Sequence, residues 1–321
     1  MPALSRREFG RAVVAGLPAA AMLGAAQVSG RGHIVVGVST SSLRGLPRVE
    51  GLDNVDDVTR VMRAVRATHL ELALANVEPA PPETAPFMGG SPAYPQLIVL
   101  SPEQVAAINV SARKTLRTWR ARTPVSAFEQ TRRKFVAAGL TVQSCSVAYN
   151  DSFTDEEIEA TFRQVKALGA TTISSPLTMA MAARLVPYAE RHQIAVAIHN
   201  QVDGNASGFV ATADLKGALA LSPAFRVKLD IGNITASNRD PVREFATHQS
   251  RLSHVLVKDR LRNGGASQPF GEGDTPIAAV LDAAKASARP VPAFVEYDYV
   301  GLHPIADEVA TLVAYVAARA S

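Results

Sequence analysis

The sequence predicts an α/β protein of the (β/α)8 TIM-barrel class, and three observations carry that prediction. From residue 33 onward, eight short apolar runs rich in Val, Ile and Leu alternate with segments of helical periodicity. The runs are apolar on both faces, as strands of a parallel sheet covered by helices must be. Several of them also end in polar residues: Ile194-Ala-Val-Ala-Ile-His-Asn200, Arg226-Val-Lys-Leu-Asp-Ile-Gly-Asn233, His254-Val-Leu-Val-Lys-Asp-Arg260 and Ala293-Phe-Val-Glu-Tyr-Asp298. Polar groups at the carboxyl ends of successive buried strands are how a barrel assembles a site. No G-x-G-x-x-G follows the first run, which counts against a doubly wound open sheet.

Composition fits one large core. The 321 residues are 47% hydrophobic with a formal net charge of +4, and α/β barrels reach this size without dividing. That charge falls to about +2 without residues 1–26, which hold Arg6, Arg7 and Arg11 against Glu8. No basic run interleaved with aromatics remains, so nucleic acid is not an expected partner. Cys145 is the sole cysteine, which rules out an intrachain disulfide.

Residues 1–26 read as an address. Ser5-Arg-Arg-Glu-Phe9 presents a twin arginine, a small-residue apolar segment broken by Gly16 and Pro18 follows, and Gly24-Ala-Ala26 offers small residues for cleavage. The pattern resembles a twin-arginine export signal, implying the export machinery as a partner and a periplasmic location. The segment is short and broken for a membrane span.

The elements then follow in order. His33–Ser39 is the first strand, 55–67 a helix and 69–74 the second strand. Residues 79–95, rich in Pro and Gly and without a period, are expected to be irregular, within an insertion over about 77–123. Helices are expected over 102–122 and 124–138, the latter closing at Gly139. After the third strand (141–148), Thr154 and Glu157 have the spacing of a capping box for a helix ending at Gly169. The fourth strand is 171–175, a helix covers 179–192, the four polar-ended strands come next, and a helix over 309–320 closes the chain.

Alternate residues of a barrel strand point inward, so parity groups the candidates. Lys228 faces the same way as Asp230, and Phe294 and Asp298 the same way as Glu296. On the seventh strand His254, Leu256 and Lys258 share one face, with Val255, Val257 and Asp259 on the other. His199, Asp230, Lys258 and Glu296 then converge at the barrel mouth; the alternative is that each merely ends a strand or pairs locally. Candidate substrate contacts are Asn200, Asn233, and Glu272 and Asp274 of the loop Gly271-Glu-Gly-Asp274, which reads equally as a plain turn. Trp119 is either core or a pocket wall, and His254, which begins its strand, reads as core.

These strand ends, with Leu229-Asp-Ile-Gly232, Val257-Lys-Asp-Arg260, Val295-Glu-Tyr297 and Pro269-Phe-Gly-Glu-Gly-Asp-Thr-Pro276, give most of the chain a resemblance to a known superfamily. It resembles the sugar phosphate isomerase/epimerase superfamily of xylose-isomerase-like barrels, and within it an exported branch. The resemblance implies one divalent metal held by a Glu, an Asp, a His and a second Glu on strands five to eight. That metal polarises a sugar carbonyl while a carboxylate moves a proton. By position Asp230 and Glu296 match the ligands of strands six and eight. His199 stands where the first Glu is usual, and Leu256 where a His-x-Lys-Asp pattern places its His. Gln201 and Asn233 occupy places where relatives often carry histidine.

Two readings of the centre follow. His199, Asp230 and Glu296 hold Mn, Mg or Zn with waters completing the shell, or there is no cofactor and Lys258 or Lys228 neutralises the carboxylates. In either reading Glu296, His199 and Lys258 are the catalytic candidates. The resemblance implies an exported isomerase/epimerase or lyase/dehydratase acting on a small-molecule sugar or glycoside, by proton abstraction next to a carbonyl. The alternative is a non-catalytic carbohydrate-binding barrel that has lost its metal. An abasic-site endonuclease on the same barrel would need a multi-metal cluster of His and Glu that the chain lacks. Assembly as a homo-oligomer is left open.

Overall fold

A computed structural model describes residues 34–85, 87–91 and 94–320; the expected leader with Arg6 and Arg7 lies outside the described residues. Eight parallel strands close into a barrel. They are β1 (Val36–Ser39), β2 (His69–Ala73), β3 (Thr141–Ser146), β4 (Thr172–Ser175), β5 (Ala195–His199), β6 (Phe225–Asp230), β7 (Leu252–Val257) and β8 (Ala293–Val295). β8 pairs with β1 through Val38↔Val295, so the sheet has no free edge. The helices between them are α1 (Val55–Ala64), α2 (Pro102–Arg122), α3 (Val125–Ala137), α4 (Asp155–Ala167), α5 (Met179–His192), α6 (Leu215–Leu219), α7 (Ile231–Ala236), α8 (Pro241–His248), α9 (Ile277–Ala286) and α10 (Ile305–Ala320). None of the described helices is long and apolar enough to cross a membrane.

Local chemistry accounts for several boundaries. Thr154 Oγ1 accepts from the Glu157 amide at 3.2 Å while Glu157 accepts from the Thr154 amide at 3.0 Å, the reciprocal capping box expected at the start of α4. Gly139 and Gly169 close α3 and α4 at φ of +74° and +87°, a conformation open to glycine at no steric cost. Glu157 has a second duty. Fully buried, it accepts from Arg113 at 2.6 Å and faces Arg117 and Arg120 of α2, while Arg120 also pairs with Glu78 at 2.6 Å. These charges fasten the inserted helix α2 to the barrel wall.

Two expectations need correction. The Pro/Gly-rich stretch is not wholly irregular, because Phe87–Ser91 and Tyr94–Ile98 pair as an antiparallel hairpin. In a two-stranded ribbon every strand is an edge, so Pro95 opposite Gly90 costs no interior ladder bond. The sequence Asp230-Ile-Gly-Asn233 reads as a strand passing into a turn at Gly232, but Gly232 does not turn the chain. It lies inside α7, where a Cβ would come within 2.8 Å of the Lys258 Cβ and 3.1 Å of the Arg260 Cγ. Glycine is needed there so that α7 can press against the end of β7.

The barrel interior departs from the usual layers of branched aliphatics. Glu71, projecting inward from β2 and fully buried, accepts from Ser39 Oγ at 2.8 Å, Ser174 Oγ at 2.5 Å and Lys228 Nζ at 2.6 Å, with His254 Nε2 at 3.0 Å. Burial opposes the charge, but Lys228 and His254 outweigh it and hold the Glu71 carboxyl well below the usual range. His254 is thus a core residue, as its position at the start of β7 suggested, and its ring lies edge-on to Phe294.

Candidate active site

One layer above Glu71, strands β5 to β8 bring their polar ends together. Asp230 ends β6 on the same face as Lys228 and is completely buried. Its Oδ1 accepts from the Asn233 amide at 2.9 Å, which makes it the N-cap of α7 and fixes its rotamer. Its Oδ2 lies 3.0 Å from His199 Nε2 and 3.3 Å from Lys258 Nζ. Lys258 follows β7 directly. Its ammonium is 2.8 Å from Glu296 Oε2 and 3.3 Å from Asp298 Oδ2, with only about a tenth of the side chain exposed. The Glu296 amide donates to the Val257 carbonyl at 3.1 Å, extending the β7–β8 ladder by one rung and aiming the side chain at the same space. The convergence expected of His199, Asp230, Lys258 and Glu296 is therefore present.

The electrostatics fix a proton. Burial favours the neutral Asp230 carboxyl, but Lys258, His199 and the Asn233 amide outweigh it and push it well below the carboxylate range. Burial likewise works against the Lys258 charge, yet Asp230, Glu296 and Asp298 raise it above the ordinary lysine value. Burial, then the charge of Lys228, lower His199 against the pull of Asp230. At neutral pH Asp230 is thus an acceptor only, and the hydrogen it shares with a neutral His199 resides on Nε2, leaving Nδ1 as the imidazole's lone pair. Glu296 differs from its neighbours. Its Oε2 is buried and 2.8 Å from Lys258 Nζ as an ion pair but has no hydrogen-bond partner, so this oxygen keeps lone-pair capacity.

The other candidates divide. Asn200 donates to Thr212 Oγ1 at 3.1 Å and to the Asp230 carbonyl at 3.3 Å, and accepts from the Asp230 amide at 2.8 Å. Asn233 donates to the Asn200 carbonyl at 3.0 Å and accepts from Arg260 Nη1 at 2.6 Å. Both amides are occupied in tying β5 to β6, so they position Asp230 rather than face a ligand. Trp119 packs edge-on against Phe128 of α3 at 5.7 Å between centroids and joins the core. Asp274 accepts from the Arg262 amide at 2.9 Å as part of a turn, whereas Glu272 is exposed and near Tyr299, whose pKa is raised first by burial and by Glu308 and only slightly by Glu272. The turn is organised by Asp259, whose carboxylate accepts from the amides of Gly271, Gly273 and Thr275.

Sequence reasoning left three site neighbours without a role. Asp298 bridges Lys258 and Arg44, the latter at 2.7 Å, and its parity with Glu296 was the available signal. Arg260 donates to Asn233 and to the Gly265 carbonyl. Glu71 carried no signal beyond an acid inside an apolar strand.

As a metal site the donor set is short. Leu256, level with Asp230 in the β6–β7 register, offers no donor, and His199 Nε2 is engaged with Asp230. The Lys258 ammonium stands between the carboxylates that an ion would bridge. Among the described residues no group of three or more His, Cys, Asp or Glu side chains is disposed to hold a metal ion.

A closed parallel barrel with a charged cluster at its carboxyl mouth has the fold of the xylose isomerase-like TIM barrels. Solved structures agree. A xylose isomerase domain protein from Alicyclobacillus acidocaldarius matches with a TM-score of 0.58 at 11% identity, over 89% of this chain and 99% of that one. The probable 3-DHS dehydratase of petrobactin synthesis from Bacillus anthracis matches at 0.57 and 12%, over 88% and 97%. The 3-keto-D-glucoside 4-epimerase of E. coli matches at 0.57 and 12%, over 88% and 98%. No family model and no curated protein matches the sequence. At these identities the likeness is one of fold.

Proposed function

We propose that this barrel is an exported sugar-processing enzyme that removes a proton from the carbon next to a carbonyl. The observation that carries the reading is Glu296 Oε2, a buried carboxylate oxygen without a hydrogen bond, set beside a buried ammonium and a His–Asp pair at the barrel mouth. Glu296 takes the C–H proton, the bonding electrons move into the carbonyl, and the oxygen becomes an enediolate oxygen beside Lys258. Return of the proton to the same carbon from the other face gives an epimer, and return to the neighbouring carbon an isomer. Departure of a β-hydroxyl, protonated by Glu296 with the proton it has just taken or by water, gives the dehydratase outcome; no oxidant or reductant is consumed.

The charges also speak for an uncharged substrate. Three carboxylates face Lys258, and the neighbouring cations Arg44 and Arg260 are engaged by Asp298 and by Asn233 with the Gly265 carbonyl. A free sugar, keto-sugar or glycoside suits such a site better than a phosphorylated one. The test is exchange of substrate C–H into deuterium oxide, followed by NMR over a panel of keto-sugars and keto-glycosides. Glu296→Gln keeps the shape and removes the base, so exchange should fall about 10²–10⁴-fold at unchanged melting temperature. Wild-type exchange in the Gln variant would refute the assignment. Tight calorimetric binding of a sugar with no exchange in the wild type would favour the non-catalytic carbohydrate-binding reading.

A further inference from the structure

We propose that the Lys258 ammonium is itself the cation of this site, so that the barrel mouth works without a divalent metal. The role given to the ammonium in catalysis rests on the reading of the mouth as a carbonyl site; its role as resident cation does not. Lys258 Nζ lies within 3.3 Å of Asp230 Oδ2, 2.8 Å of Glu296 Oε2 and 3.3 Å of Asp298 Oδ2. A divalent ion takes carboxylate oxygens at about 2.0–2.2 Å. One that bridged Asp230 and Glu296 would have to share that space with a like charge.

The surrounding residues agree. Leu256 is the inward residue of β7 level with Asp230 and Phe294, and it supplies no ligand. His199 Nε2 is engaged with Asp230, so an ion would have to take this nitrogen out of that contact. Gly232 lets α7 press against the Lys258 Cβ, where any side chain would displace the lysine stem.

The arrangement implies where a carbonyl would bind. An ammonium has three N–H donors, and the three carboxylates around it differ in burial. Asp230 is fully buried and Glu296 nearly so, while the Asp298 side chain is 38% exposed and has Arg44 as a second partner. A substrate carbonyl oxygen would displace Asp298, leaving it with Arg44, and would accept one N–H from Lys258. As the C–H proton passes to Glu296, the negative charge growing on that oxygen meets a fixed positive charge. Lys258 remains protonated throughout.

The experiment needs no substrate. The full chain is stripped with EDTA, assayed for metal by mass spectrometry, and melted with and without Mn²⁺, Mg²⁺ or Zn²⁺. Wild type should carry no stoichiometric metal and show no metal-dependent shift. Lys258→Met opens a hole lined by His199, Asp230 and Glu296, and should gain one Zn²⁺ or Mn²⁺ per chain by calorimetry. Its melting temperature should rise by about 5 °C at metal concentrations near one hundred times Kd. If that variant does not fold, Leu256→His decides the matter: with Lys258 in place it should still bind no ion, and adding Lys258→Met should rescue folding by metal. One divalent ion per wild-type chain, or metal-restored stability after stripping, would overturn the proposal. So would a Lys258→Met variant that folds with wild-type stability and takes no ion. Should the metal arms behave as expected while no sugar exchanges protons, the cation assignment stands and the reading as a sugar enzyme falls.

Discussion

Lys228→Met is the substitution that most directly probes how the barrel tolerates charge in its interior. Lys228 is 2% exposed, Glu71 is fully buried, and their 2.6 Å contact gives Glu71 its one full positive charge at bonding distance, since His254 is charged only if protonated. Methionine keeps the stem and removes the ammonium. Glu71 then retains Ser39, Ser174 and His254 as partners but carries an unneutralised charge in a medium where isolated charges are costly. Breaking a buried pair in this way costs about 3–5 kcal/mol, a large share of a typical total of about 5–15 kcal/mol. For a chain of this size that is a fall of about 6–15 °C in melting temperature.

The sign of the pH dependence should change as well. In the wild type Glu71 is depressed below its ordinary 4.5, so its contribution is present above that pH and is lost as pH falls through the folded value. Without Lys228, burial dominates and the deficit should shrink on acidification, because a protonated Glu71 is no longer an unpaired charge. The double variant Glu71→Gln/Lys228→Met removes both charges and should recover most of the loss, as neutral replacements of buried pairs commonly do. Urea unfolding of wild type, Glu71→Gln, Lys228→Met and the double variant closes the cycle, and NMR titration of His199 supplies a second readout. Lys228 lies opposite His199 in the β5–β6 register and helps to lower its pKa, so His199 should titrate higher in the Met variant. A single-variant loss below about 1 kcal/mol, or a double variant no better than the single, would refute the argument.

Two further predictions concern pH and export. Burial lowers His69, His199 and His248 from the ordinary 6.5, so each binds a proton more readily in the unfolded chain. Their stabilising contribution is complete above about pH 6.5 and lost as pH falls below it; a melting temperature at pH 5.5 equal to or above that at pH 7.5 would contradict this. Arg6→Lys with Arg7→Lys should leave the precursor inside the cell while the barrel's melting temperature is unchanged, and undiminished export of that double variant would dispose of the twin-arginine reading.

The architecture was legible because its signals are local. Thr154 and Glu157 announce a helix start by spacing, and a polar residue closing an apolar run announces a barrel strand end. What failed to show were features set by residues far apart in the chain. Lys228 meets Glu71 across 157 positions, and nothing near Leu70-Glu-Leu72 says that the acid points into the barrel. Asp230-Ile-Gly-Asn233 reads as a strand passing into a turn, yet Asp230 caps a short helix and Gly232 is small because Lys258 lies against it. Asn200 and Asn233 look like ligand contacts because they flank the site, but buried amides there had to satisfy backbone groups first.

The charges inside this barrel form a sequence that no single strand displays. Glu71 is countered by Lys228; two residues above Lys228 on the same face stands Asp230, countered by Lys258, which also counters Glu296. In a low-dielectric interior each of these charges is tolerable only with its opposite beside it, so the ladder is built from the core outward and the mouth inherits its geometry. The inward face of β7 shows the consequence. Its residues rise as His254, in the layer of Glu71, then Leu256, level with Asp230, then Lys258 at the mouth. A donor at 256 would meet Asp230 from the side, but an ion there would still have to displace the Lys258 ammonium. With leucine there, the positive charge that Asp230 and Glu296 require arrives on the next inward residue, carried by the protein's own chain.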